Sequence, residues 1–320
     1  MIGASDLWAG ASRYDGPVAF IDLDAGGEEI GPLALPPCPV IGFGNPANPL
    51  AAKLDAVIEP PFTADGLARG ILVHPHAACV VTGLLRILPD MPVEHGLVAE
   101  SHAYAALQGS EDHLRWRDTH TAAVRPEGTI ATERDGDTLI VTMARKWAGN
   151  AVDRTMRDQL VEAFCAARLD DSVARIILRG EGRTFSLGAD LAEFGTTRDP
   201  ARAVAIRALT LPAHALSACA TRLEAQVQGG CVGAGLEMAA WAQRIIAARD
   251  AWFQLPELAM GILPGAGGCV SLVRKIGRQR TALLALSGKR LGARKALDWG
   301  LVDRIVDDFS ADQGHAYIVA

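Results

Sequence analysis

Between Asp137 and Gly180 the chain reads as strand, helix, strand, and that order restricts the possible folds more than any other stretch. DTLIVTMA (137–144) is rich in β-branched and apolar residues between turn formers, the composition of a buried strand. Val152, Met156, Leu160, Phe164 and Ala167 then recur at steps of three or four, giving one apolar stripe along a helix that Asn150 is expected to cap. VARIILRG (173–180) is the next strand. Two buried strands joined by an amphipathic helix predict an α/β domain whose crossover helices cover a sheet. Further helices are expected at 199–219, 233–243, 269–287 and 292–299.

Ahead of this region, THTAAVRPEGTIATERDGD is polar, contains Pro126, Gly128 and Gly136, and follows neither structural period; it predicts a linker near 120–135. The segment before it has shorter candidate strands, VAFIDLD, PVIGFG and LDAVIE, separated by the Pro- and Gly-rich pieces GPLALPPCP and GNPANP, and then helices at 75–88 and 92–123. The expected division is an accessory α/β unit over 1–125 and a catalytic core over 126–320.

With 49% hydrophobic and 21% charged residues the chain can bury a large core, and a net charge of -6 opposes any sequence-independent grip on nucleic acid. The six cysteines are scattered without a C-x-x-C pair, so they read as reduced thiols, and no histidine cluster has metal-ligand spacing. The first residues lack a basic region followed by an apolar one, and no run reaches the roughly 18 apolar residues of a membrane span. A soluble cytoplasmic protein without metal, membrane or nucleic-acid partner is expected.

Three segments carry the chemistry: RTFSLGAD (183–190), VQGGCVGAGLEMAA (227–240) and FQLPELAMGILPGAGG (253–268). Glycine after a strand and before a helix lets a ligand approach the backbone and leaves helix N-terminal N–H groups facing an oxygen, the physics of an anion or oxyanion site. A tight turn with close helix packing accounts equally well for any one such cluster. Gly233 and Gly235 open a dinucleotide-type G-x-G, but Met238 stands where the third glycine belongs; SGKR (287–290) lacks the glycine of a P-loop, and G-x-S-x-G is absent.

Taken together and in this order, the three segments and the later RLGARKALDWGLVDRIV resemble the crotonase, or enoyl-CoA hydratase/isomerase, superfamily over about 137–307. The resemblance implies a spiral of ββα units, assembly as trimers or pairs of trimers, and an acyl-CoA substrate that itself brings the coenzyme A, with no other cofactor. By matching positions, the two backbone donors to the thioester oxygen fall on Leu187 and Ala234, where such donors stabilise the enolate-like state. Leu187 is larger than the family's usual residue and should narrow the acyl pocket. The two glutamates of the hydrating members fall on Glu237 and Glu257, implying a base that activates water and an acid that protonates the α-carbon.

An exposed helix position would account for Glu237, and a turn carboxylate after Pro256 for Glu257. Against this, Glu237 lies among Ala234, Leu236, Met238 and Ala239, where an ionisable group is costly unless partnered or functional. Arg183, Arg145 and Lys146 are candidate contacts to the CoA phosphates, with ordinary solvated charge as the alternative.

The family continues for some tens of residues beyond its GLVDRIV-like strand, whereas LPDMPVEHGLVAESHAYAALQGSEDHLRWRD within 76–118 resembles that missing C-terminal helical part. A permuted arrangement, a degenerate crotonase-like unit fused ahead of the core, and an unrelated accessory domain all remain open. Glu111 and His113 read as structural. The resemblance implies a hydro-lyase acting on 2-enoyl-CoA, with isomerisation, retro-Claisen cleavage, thioester hydrolysis or a CoA-binding scaffold as the alternatives.

Overall fold

The computed structural model describes residues 14–25 and 35–309 of the 320-residue chain. In chain order, the first part forms β1 (Ala19–Asp22), β2 (Val40–Phe43), β3 (Ala56–Val57), α1 (Ala64–Val73), α2 (Pro75–Ile87), α3 (Val93–Gln108) and α4 (Glu111–Thr119). The middle part forms β4 (Thr129–Asp135), β5 (Thr138–Ala144), α5 (Arg154–Leu169), β6 (Arg175–Gly180), α6 (Pro200–Thr210), α7 (Pro212–Ala218), β7 (Leu223–Val227), β8 (Gly230–Val232) and α8 (Ala234–Ala239). The remainder forms β9 (Arg244–Ala248), β10 (Trp252–Gln254), α9 (Gly268–Ile276), α10 (Arg278–Ser287), β11 (Leu291–Gly292), α11 (Ala293–Asp298) and β12 (Arg304–Val306).

The chain folds as two compact units that are not contiguous in sequence: residues 1–122 with 194–209 and 255–289, and residues 123–193 with 210–254 and 290–320. The first cut falls close to the expected linker. The difference is that two later segments join the N-terminal part, because α10 packs on α1 and α2, and α9 packs on α3.

In the second unit, a six-stranded sheet runs β12-β9-β7-β6-β5-β4, parallel throughout except for the antiparallel β4–β5 pair, beside a small β11-β10-β8 sheet. The stripe read from the sequence is the buried face of α5: Met156, Leu160, Phe164 and Ala167 lie with Val141, Met143, Ile176 and Leu178 in the core. Burying each large side chain contributes roughly 1.5–3 kcal/mol. Residues 129–135, expected in a linker, form β4 instead. Nearly all of this edge strand is exposed, so it carries no apolar period to read.

Asn150 does not cap α5. Asp153 does, its carboxylate accepting from Met156 N at 2.8 Å, while the Asn150 amide binds Arg145 N, Glu181 O and Thr184 O and its own backbone is left-handed (φ 54°). The expected helix at 199–219 breaks at Leu211, before Pro212, into α6 and α7.

In the first unit, β1, β2 and β3 form a parallel sheet over a cluster of Ile21, Leu23, Val40, Leu50 and Leu54. Buried Asp55 accepts from Val40 N at 2.8 Å and pairs with Arg86 at 2.7 Å and Arg278 at 3.3 Å, tying that sheet to α2 and α10. The expected helix at 92–123 breaks at Gly109, and Ser110 Oγ caps α4. The one at 269–287 breaks at Gly277, whose φ of 81° suits glycine.

Candidate active site

Within the second unit, the segment Phe185–Gly188 runs beside β8, with Phe185 N donating to Gln228 O, Ser186 N to Gly230 O and Val232 N to Ser186 O. β8 leads directly into α8, and a Cβ built on Gly188 would lie 3.8 Å from Ala234 N. The two glycine-containing segments singled out in this unit are therefore side by side. Ala234 is the first residue of α8, so its N–H belongs to the helix's unsatisfied first turn.

Leu187 departs from the expectation of a presented donor: its N–H donates to Gly149 O at 2.9 Å, in the loop between β5 and α5. That loop is held in place by the left-handed backbone of Gly149 (φ 59°) and by Ser186 Oγ, which donates to Asn150 O at 2.8 Å. The Leu187 side chain is 44% exposed.

Glu237 lies on α8 at 2% exposure, between Leu236 and Met238, both buried. The exposed-helix account of this residue therefore fails. A carboxylate in such surroundings needs a partner or a task.

In the first unit, Glu257 opens a short 3₁₀ helix, Glu257–Met260, at 7% exposure. Its Oε2 has no hydrogen-bond partner among the described residues. Burial pushes the carboxyl up to about 8, against a hydrogen bond to its own backbone. At neutral pH it is therefore a protonated acid, able to give a proton.

The three basic residues part company. Arg145 is a correction: its guanidinium is 1% exposed, 2.7 Å from Asp190 and 3.3 Å from Asp153, and it donates to Pro126 O and Ala151 O. Its donors are committed to holding the loop before α5, which leaves no face for a phosphate. Lys146 is exposed and pairs with Glu181 at 2.6 Å. Arg183 is exposed and lines a groove of about 1170 Å³ together with Arg175, Arg179 and Gln226 of the sheet. A Cβ on Gly182 would meet the Lys146 side chain at 3.2 Å, so Lys146 and Arg183 flank one corner.

Sequence reasoning missed Gly149, whose carbonyl occupies the Leu187 N–H. It has no local signal, since its partner lies far along the chain.

The family model for enoyl-CoA hydratase/isomerase matches residues 133–316. The chain is 35% identical over 176 residues to 2,3-dehydroadipyl-CoA hydratase of Escherichia coli, covering 55% of this chain and 68% of that protein. It is 34% identical over 178 residues to mevalonyl-coenzyme A hydratase of Beauveria bassiana, covering 53% of this chain and 64% of that protein. Among solved structures, an enoyl-CoA hydratase from Thermoplasma volcanium superposes with a TM-score of 0.51 at 35% identity, covering 57% of this chain and 73% of that one.

Proposed function

This chain belongs to the enoyl-CoA hydratase/isomerase family, and on that premise we propose that it adds water across the 2,3-double bond of an enoyl-CoA thioester. The observation that carries the proposal is the pair of buried carboxyls at the two matching positions, Glu237 at 2% and Glu257 at 7% exposure, with Glu257 held protonated by its surroundings. Conjugate addition of water needs a base for the water and an acid for the α-carbon, and Glu237 as the base with Glu257, its carboxyl raised by burial, as the acid divides those roles.

The Ala234 N–H serves as the first donor to the developing oxyanion. Leu187 N–H joins it when the thioester oxygen replaces Gly149 O. One such donor is worth about 2.7–4 kcal/mol in the transition state. Arg183 and Lys146 meet the CoA phosphates, while Arg145 shapes the loop behind them.

Residues 76–118 supply helical cover to part of the family-matched stretch: α2 packs on α9 and α10, and α3 on α9. Assembly into trimers or pairs of trimers is part of the same reading.

The test is loss of conjugated enoyl-thioester absorbance with short, long and aromatic enoyl-CoAs, for wild type, Glu237→Gln and Glu257→Gln. Hydroxyacyl-CoA formed by wild type and by neither variant supports hydration. A shifted double bond or free CoA would move the assignment to another reaction of the family. CoA binding without turnover would make the chain a scaffold.

A further inference from the structure

The 3₁₀ helix that carries Glu257 ends at Met260, three residues on, and so on the same face one turn later. The Met260 carbonyl oxygen lies 2.8 Å from His113 Nδ1, on the first turn of α4. A carbonyl only accepts, so Nδ1 is the nitrogen that carries the hydrogen. His113 is fully buried, its ring stacked on Trp116 with centroids 5.6 Å apart and tilted against Phe194 at 6.1 Å, so the imidazole cannot swing away.

The backbone is equally close. Gly261, just past Met260, has φ 70°, and a Cβ there would lie 3.0 Å from His113 N and 3.2 Å from Asp112 C. The segment that follows is gripped by α3 in turn: Glu100 accepts from Gly267 N at 2.7 Å and Val270 N at 3.3 Å, and the Tyr104 ring fills the space beside Gly265. By contrast, nothing among the described residues holds Glu257 Oε2. The direction of that carboxyl is inherited from the short helix beneath it, and the helix is fixed at its far end by His113.

We propose that His113 is a positioning residue for Glu257: its Nδ1–H bond to Met260 O locks the turn that aims the proton-donating carboxyl. This rests on the hydration reading above. It also gives residues outside the family-matched stretch a part in catalysis, since His113 precedes residue 133. Burial lowers the His113 pKa, against the hydrogen bond to Met260, which raises it, and Arg117 and His74 push it down further.

Three variants test the assignment in the hydration assay, each with a thermal melt. His113→Phe keeps the stacked ring but loses the donor; His113→Asn keeps an amide N–H where Nδ1 stands; His113→Gln carries its amide to the Nε2 side. Misplacing a catalytic group by about 1 Å costs up to roughly 100-fold, so His113→Phe should lower kcat roughly 10- to 100-fold with KM changed less than about 3-fold. His113→Asn should restore most of the rate and His113→Gln should not. Unchanged kcat in His113→Phe, equal kcat in the Asn and Gln variants, or a loss seen only in KM overturns the assignment. If His113→Phe does not fold, the Asn and Gln pair decides. A wild type that hydrates no enoyl-CoA instead refutes the hydration reading, and this assignment with it.

Discussion

Replacing Glu257 by Gln should make the protein less sensitive to alkaline pH. In the folded state burial raises the carboxyl from 4.5 to about 8, whereas an unfolded chain returns it to its ordinary value. Between those limits the unfolded state has released its proton and the native state has kept it. Stability therefore falls as pH rises, by about 1.4 kcal/mol per pH unit. The full span amounts to about 5 kcal/mol, of which about 3 kcal/mol falls between pH 5.5 and 8.5. Gln cannot ionise, so Glu257→Gln lacks this loss.

Glu100 is also raised by burial, to about 7, against the pull of Arg207 and the Gly267 and Val270 N–H groups, but it titrates in both proteins and cancels in the difference. Urea unfolding followed by tryptophan fluorescence at pH 5.5, 6.5, 7.5 and 8.5 measures that difference directly. The variant should gain about 3 kcal/mol on wild type across the series. A difference that stays constant within about 0.5 kcal/mol would show that Glu257 ionises normally when folded, and would remove the basis for treating it as the acid.

Two further outcomes follow from other parts of the molecule. Asp153→Ala removes the α5 cap, the bond to Gly128 N at 2.7 Å and one carboxylate beside buried Arg145, so denaturant unfolding should show a loss of about 3–5 kcal/mol. Leu187→Ala should widen the acyl preference: kcat/KM for bulky enoyl-CoAs rises relative to the shortest by roughly 10-fold or more, while an unchanged ratio would show that this side chain does not line the acyl path.

How much of this could be read in advance depended on whether the signal was local. The α5 stripe and the β5 and β6 strands were legible because burial on one face imposes a period. Polar β4 was not, because an exposed edge strand imposes none. Asn150 has the residue type of a cap, yet Asp153 caps α5, because the Asn150 side-chain oxygen is taken by Arg145 N, a group that only the folded loop brings near. Glu237 and Glu257 stood out through the order of three motifs, and their burial agrees with the expense of a carboxyl in apolar surroundings. The His113 contact spans 147 residues of sequence, and no pattern within α4 announces it.

The interleaving of the first unit also bears on how the protein is made. α1 to α3 leave the ribosome well before α9 and α10, the helices on which they pack. At about 5–20 residues per second the interval is roughly 10–30 s. During that time the faces that the early helices turn to α9 and α10 lack their native cover, so this protein should depend more on chaperones during synthesis than a chain whose helices pack only on their immediate neighbours.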